Sequence, residues 1–143
     1  MLFRSLSCGL TTAGDAYCWG SNEYGELGQG GEVDGAYPYN RHLSTPALVS
    51  GDFTWVSVNT GHQHTCGIIT FGEAYCWGEN SYYTLGDGTN IHRSVPTLVS
   101  GGHTWASVSG GENFTCGVTT AGAAYCWGDR KSTRLHSSHK PIS

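Results

Sequence analysis

An eleven-residue unit bounded by two cysteines occurs three times in this chain, and it restricts the possible folds more than any other feature. Each copy opens with Cys-Gly, and Trp-Gly follows its second cysteine. The copies begin at Cys8, Cys66 and Cys116, so the intervals between them are 58 and 50 residues. A repeat period in this range is typical of propellers and other arrays built from one supersecondary unit.

The segments that follow each unit are repeated as well. Residues 44–51 match residues 94–101, and residues 54–58 match residues 104–108. The longer first interval comes from eight extra residues between Leu27 and Pro46. Insertions in repeat proteins usually lie in loops of one face, often the binding face, although a neutral insertion is an equal alternative.

Each unit predicts short antiparallel strands. A turn at residues 12–14 would bring Cys8 opposite Cys18 and Gly9 opposite Tyr17, which leaves both faces of the hairpin apolar or small. Such a hairpin suits a blade packed between neighbouring blades. Thr-Trp-x-Ser-Val adds a third strand, and Pro-x-Leu-Val adds a fourth with proline at the edge. Four short strands per period predict a propeller blade.

The combined pattern resembles a known family. Cys-Gly-x-x-Thr-x-Gly-x-Ala-Tyr-Cys-Trp-Gly-x-Asn-x-x-Gly-x-Leu-Gly, then Pro-x-x-Val and Gly-x-x-His-Thr-Cys, is similar to the repeat of the regulator of chromosome condensation, above all its cysteine-paired version in bacterial exported proteins. The resemblance implies a propeller of about seven blades. In the second unit Tyr83 replaces Gly25, a departure that concerns the local turn and not the family. The residues that carry the resemblance are Trp19, Gly20, Asn22, Gly25, Leu27, Gly28, Pro46, Val49, Trp55, Gly61, His64, Cys66 and Gly67.

The predicted fold is all-β, a partial propeller of about two to three four-stranded blades that does not close. It occupies residues 1–128, with units that begin near residues 5, 62 and 112. Residues 129–143 lose the repeat, gather four of the seven basic residues and resemble the conceptual translation of a sequencing-library adapter. A natural basic disordered tail is the alternative. We therefore expect a fragment, of bacterial and metagenomic origin.

Six cysteines in three equally spaced pairs predict disulfides. Residues directly opposite in an antiparallel pair are close enough for a bridge, and reduced, buried cysteines are the alternative. Disulfides imply an extracellular, periplasmic or cell-surface location. Zinc is disfavoured because the cysteine spacing lacks close pairs, and no metal or cofactor is predicted. The predicted pairs are Cys8–Cys18, Cys66–Cys76 and Cys116–Cys126.

Composition excludes several function classes. Residues 1–128 hold three basic side chains against ten acidic ones, which disfavours nucleic acids and anionic membranes. The chain contains no apolar run of 18 residues, so no membrane insertion is expected. It also lacks hydrolase, phosphate-loop and metalloprotease motifs, so no catalytic residue is predicted. Acidic residues 23, 26, 32 and 34 are interpreted as solvated, and His42, His92 and His103 as surface residues.

The preferred function is a secreted or cell-surface binding or scaffold module without catalysis. Its partner would be a protein or a glycan bound through loops. The candidate contacts are Tyr37 and Tyr39 in the insertion, and Tyr82 and Tyr83 in the matching loop of the second unit. The alternative implied by the resemblance is a guanine-nucleotide exchange factor for a small GTPase. Disulfides argue against it, because such GTPases work in reducing compartments.

The disulfide prediction is tested by counting thiols. In the oxidised, folded protein an alkylating reagent should label no cysteine, and after reduction it should label all six, as measured by intact mass. Six labelled cysteines in the unreduced protein would show that the pairs are free thiols.

Overall fold

The computed structural model describes residues 5–30 and 42–128, and within these ranges the chain forms only β-strands, turns and bends. The predicted all-β class is confirmed. None of these residues forms a helix long and apolar enough to cross a membrane. The strands are β1 (Leu6–Leu10), β2 (Ala16–Ser21), β3 (His42–Leu48), β4 (Trp55–Thr60), β5 (His64–Ile69), β6 (Ala74–Gly78), β7 (Arg93–Leu98), β8 (Trp105–Gly110), β9 (Phe114–Thr119) and β10 (Ala124–Gly128).

The ten strands form three antiparallel sheets, which we call the first, second and third blades. The second blade has four strands in the order β4-β5-β6-β7, as the repeat predicts. The first blade is β1-β2-β3 and the third is β8-β9-β10, so each has three strands in the described ranges. Pro46 and Pro96 lie in β3 and β7, the edge strands that proline tolerates. The three blades do not close a ring.

The hairpin register is the one that the sequence predicts. Cys8 lies opposite Cys18, and Gly9 opposite Tyr17. The other two hairpins repeat this pairing. In all three pairs the Cα atoms are 4.0 Å apart and the sulfur atoms lie at disulfide distance.

Successive blades stack through one repeated interface. The face of a blade that carries its cysteines, the cysteine face, packs against the face of the next blade that carries its tryptophans, the tryptophan face. In the second blade Cys66 and Cys76 are buried with Ile68 against Trp105 and Trp127 of the third. The first blade repeats this arrangement against the second. Each interface therefore combines cysteine and tryptophan side chains with aliphatic ones such as Leu27 and Leu85.

A blade face without a neighbour among the described residues is less buried. Trp77, which faces the first blade, is fully buried, whereas its counterpart Trp19 is only partly buried. Ile68 on the covered cysteine face is 2% exposed, and its counterpart Val118 on the third blade is 39% exposed. Burial of these apolar side chains depends on the adjacent blade rather than on the hairpin itself.

The tryptophans of the second and third Cys-Trp-Gly segments pack against a glycine of the preceding blade. A Cβ atom on Gly28 would lie 2.6 Å from Nε1 of Trp77, and Gly86 stands in the same relation to Trp127. Both glycines also have positive φ, of 76° and 72°. The glycine of the repeated Leu-Gly is therefore required for two reasons: the backbone has positive φ, and the indole leaves no space for a Cβ atom.

Threonine hydroxyls join the blades by hydrogen bonds at equivalent positions. Thr65 Oγ1 donates to the carbonyl oxygen of Glu26 at 2.8 Å, and Thr115 Oγ1 donates to that of Thr84 at 2.8 Å. Nε2 of His64 lies 3.0 Å from Thr115 Oγ1 and is the donor, because the threonine proton is already used. His64 is buried, and burial lowers its pKa from 6.5 to about 4.

Exchange of His64 for Phe, the residue at equivalent position 114, should remove part of the acid sensitivity of the fold. The unfolded chain binds a proton at this histidine below about pH 6.5, whereas the native protein does so only near pH 4. Stability from this group is therefore complete above pH 6.5 and decreases by on the order of 3 kcal/mol as the pH falls to 4. Urea unfolding between pH 4 and 7.5 should show a shallower loss in His64→Phe; parallel pH profiles for the two proteins would contradict this assignment.

Candidate protein-binding face

The antiparallel strands divide the connections between two opposite faces. We call one end the loop face and the other the turn face. The strand order places the β6–β7 connection and the described start of the β2–β3 connection at the loop face. The loop face comprises residues 22–30, 61–63, 79–92 and 111–113; the turn face comprises residues 11–15, 49–54, 70–73, 99–104 and 120–123.

A buried asparagine lies near the start of the loop that follows each of the first two Cys-Trp-Gly segments. Oδ1 of Asn22 accepts a hydrogen bond from the backbone N–H of Leu27 at 3.1 Å, and Oδ1 of Asn80 accepts one from that of Leu85 at 2.9 Å. Both leucines are fully buried. Each asparagine therefore ties the start of its loop to a core side chain five residues later, and the residues between them are held as a tight turn.

Tyr83 occupies a backbone conformation that glycine normally takes. Its φ is 64°, and the corresponding Gly25 in the first blade has a φ of 84°. The turn is thus the same in both blades, and Tyr83 carries the strain. A bulky residue with positive φ is uncommon and costs on the order of 1–3 kcal/mol. The Tyr83 side chain is 37% exposed at the loop face.

Internal polar contacts organise the loop between β6 and β7. Nδ2 of Asn80 donates to the carbonyl oxygens of Thr89 and Ile91, each at 2.9 Å. The Asp87 carboxylate accepts from the Thr89 hydroxyl at 2.8 Å and from Arg93 Nε at 2.9 Å. Arg93 is thereby neutralised locally. The loop is built by its own side chains before any partner binds.

His92 connects this loop to the first blade. Its Nδ1 accepts a hydrogen bond from the backbone N–H of Asn80 at 3.0 Å, and its ring centroid lies 4.9 Å from that of Tyr24. Burial lowers the pKa of His92, while the Glu79 carboxylate acts in the opposite direction. The interpretation of His92 as a surface residue was wrong, because a neighbouring blade covers its ring. His103 is also only half-exposed, but the rings that pack on it belong to its own blade: its ring lies 4.6 Å from that of Tyr125 and 5.4 Å from that of Trp105.

Glu26 was expected to be solvated, and it is instead fully buried. Its carboxylate accepts hydrogen bonds from Ser21 Oγ at 3.0 Å and from the Tyr24 backbone N–H at 2.7 Å. Desolvation raises the pKa of Glu26, and these hydrogen bonds oppose the rise. The buried carboxylate thus stabilises the turn that follows β2 through these two hydrogen bonds.

The candidate tyrosines are only partly located. Tyr82 is half-buried and Tyr83 exposed, and both lie in the same turn of the loop face. Tyr37 and Tyr39 fall outside the described residues, as do Glu32 and Asp34. Tyr24 was missed, although it is the repeat counterpart of Tyr82 and an internal alignment identifies it. In the described ranges no three histidine, cysteine or acidic side chains are grouped so that they would hold a metal ion.

Comparison with known proteins identifies sequence relatives. A family model described as "Regulator of chromosome condensation (RCC1) repeat" matches residues 13–68 and 72–118, which is most of the chain. The human E3 ubiquitin-protein ligase HERC2 is 34% identical over 86 residues, which is 59% of this chain and 2% of that protein. The chain therefore spans a very small part of this relative.

Solved structures share the fold. Prp20p from Saccharomyces cerevisiae superposes with a TM-score of 0.75 at 21% identity, over 96% of this chain and 35% of that one. The ectodomain of the Physcomitrella patens receptor kinase CR4 superposes with a TM-score of 0.55 at 22% identity, over 93% of this chain and 30% of that one. At these identities the similarity shows the fold alone.

The strain at Tyr83 predicts that glycine is the more stable residue there. Tyr83→Gly should raise the free energy of unfolding by about 0.5–1 kcal/mol, since relief of positive φ exceeds the added entropy of unfolded glycine. Tyr82→Gly is the matched control and should destabilise, because Tyr82 does not have positive φ. Urea unfolding followed by tryptophan fluorescence measures both. Equal destabilisation by the two changes would show that φ at Tyr83 carries no strain.

Proposed function

Because the chain belongs to the regulator of chromosome condensation (RCC1) repeat family, we propose that it is part of a secreted or cell-surface β-propeller that binds a protein or glycan partner through its loop face and catalyses no reaction. The observation that carries the proposal is Tyr83, an exposed aromatic side chain held in a strained backbone conformation. Strain of this kind persists where the surrounding structure imposes it, and it is concentrated at functional sites.

The construction of the loop favours binding. Hydrogen bonds made by the side chains of Asn80, Asp87 and Arg93 hold the loop in place. Because the loop is already ordered, little conformational entropy is lost when a partner docks. Tyrosine offers a large contact area and a polar tip at low entropic cost. The pair Tyr82 and Tyr83, on the same face as the ring pair Tyr24 and His92, would provide the centre of such a surface.

The absence of catalysis is proposed from the roles of the perturbed groups. Strongly shifted pKa values often mark catalytic groups when they line a cleft. Here the buried Glu26 and His64 are each engaged in a hydrogen bond that builds a turn or joins two blades. Their perturbed pKa values therefore have a structural cause.

The proposed location depends on the cysteine pairs. Three pairs at disulfide distance suit an oxidising environment, in which such bonds persist. The moss receptor kinase whose ectodomain shares this fold is a precedent for the architecture at a cell surface. The yeast protein Prp20p, which shares this fold, binds Gsp1p and histones. The alternative function, nucleotide exchange on a small GTPase, is tested below.

The binding prediction is tested with peptides selected against the oxidised chain from a phage-displayed random library. Selected peptides should bind the loop face, and Tyr83→Ala should weaken them by about 2 kcal/mol or more, as hot-spot truncations do. Phe71→Ala is the matched control, because Phe71 is 82% exposed on the turn face. Fluorescence polarisation measures each affinity. Undiminished binding to Tyr83→Ala together with loss in Phe71→Ala would transfer the contact to the turn face.

Two further measurements separate the partner classes. A glycan array probed with the oxidised chain identifies a carbohydrate ligand, and the same Tyr83→Ala variant should lose that signal. A small GTPase loaded with fluorescent GDP tests exchange. Accelerated nucleotide release by the oxidised chain would overturn the non-catalytic proposal.

A further inference from the structure

A cavity of about 320 Å³ opens on the turn face, where the first blade meets the second. Its wall comes from the end of the β1–β2 turn, the segment that connects β3 to β4, and the first residue of β4. This volume lies at the lower end of the range for ligand-binding pockets, about 300–1,000 Å³. The lining residues are Asp15, Ala16, Leu48, Val49, Gly51, Asp52, Phe53, Thr54 and Trp55.

Two of the lining residues are exposed aspartates whose carboxylates are unengaged. Within residues 5–30 and 42–128, the carboxylates of Asp15 and Asp52 have neither a hydrogen bond nor an ion pair. Arg93 is the one lysine or arginine in those ranges, and it is bound to Asp87 at the opposite face. No basic side chain in the described part of the chain therefore neutralises Asp15 and Asp52, and the electrostatic potential at the opening of the cavity is negative.

An aromatic surface lies beside the carboxylates. The Phe53 ring is half-buried, with its centroid 5.1 Å from that of Trp55 and 4.7 Å from that of Tyr75. Gly51 has a φ of 101°, and a Cβ atom there would lie 2.6 Å from Cε2 of Phe53. The glycine thus lets the ring fold back against the wall, and the neighbouring rings hold it there.

The next junction in the same chain has different chemistry at equivalent positions. Between the second and third blades, Glu73 corresponds to Asp15, but Gly102 and His103 replace Asp52 and Phe53. One of the two carboxylates and the phenyl ring are therefore absent. The combination is specific to the first junction and is not a general product of the repeat.

We propose that this cavity binds an arginine side chain of a protein partner, independently of the loop face. A guanidinium group is planar, pairs with carboxylates through several N–H groups and stacks on aromatic rings. Asp15 and Asp52 would neutralise its charge and Phe53 would cover its face. Lysine fits less well, because its ammonium group does not stack as a plane.

The test uses the 143-residue chain and the peptide acetyl-Gly-Arg-Gly-amide, with its citrulline analogue as a neutral control of the same shape. In ¹⁵N-edited NMR titrations the arginine peptide should give saturable shifts centred on Gly51, Thr54 and the Trp55 indole. Asp52→Asn should weaken binding by about three- to fivefold, the range expected for one exposed ion pair. The double change of Asp15 and Asp52 to Asn should remove saturation, and Phe53→Leu should weaken binding by about threefold.

Glu73→Gln at the other junction is the matched control and should leave the affinity unchanged. A dispersed spectrum from each variant shows that it is folded. Equal shifts with the citrulline peptide, unchanged affinity in the double aspartate variant, or shifts centred on Tyr82 and Tyr83 would each overturn the proposal. The last of these results would leave the loop-face proposal standing, so the two proposals fail separately.

Discussion

Packing of the cysteine face of one blade against the tryptophan face of the next is the interaction on which the rest of this structure depends. A single hairpin has two apolar faces and no core of its own, so it is buried only between neighbours. The indole of Trp77 closes against Gly28 on one side of its hairpin, and the pair Cys66–Cys76 lies under the third blade on the other. The second blade thus contributes its tryptophan face to one interface and its cysteine face to the next.

Both faces of the molecule follow from this stacking. Because successive blades are held in one orientation, the loops that follow β2 and β6 start on the loop face, and the hairpin turns lie on the turn face. At the loop end, side chains satisfy the loops internally, and one bulky residue, Tyr83, bears a glycine conformation. At the turn end, Asp15 and Asp52 are left unengaged beside an aromatic wall. The two faces therefore offer different chemistry to partners: an exposed tyrosine at the loop face, and unengaged carboxylates beside a phenylalanine ring at the turn face.

The buried ionisable groups show what the stacking costs. Glu26 and His64 lie at blade junctions, where desolvation disfavours their charged forms and shifts their pKa values in opposite directions. Each is tolerated because a hydrogen bond from or to a neighbouring group satisfies it. The equivalent residue at the junction of the first and second blades is Leu6, so this position accepts an apolar side chain without ring nitrogens.

The sequence alone determined the features that depend on local alternation and on the repeat: the all-β class, the blade order, and the register that opposes Cys8 to Cys18 and Gly9 to Tyr17. These follow from the period of two along a strand, which one hairpin contains in full. Tertiary structure decided the rest of the candidate sites. Burial of Glu26, the contact of the His92 ring with Tyr24, and the cavity beside Asp52 all arise where two blades meet. The sequence of one blade does not specify which side chains its neighbour brings there. The positive φ at Tyr83 also depends on its surroundings. The hydrogen bond from the Leu85 N–H to Asn80 and the burial of the Leu85 side chain hold the loop in shape, and Tyr83 adopts a backbone conformation that its own side chain disfavours.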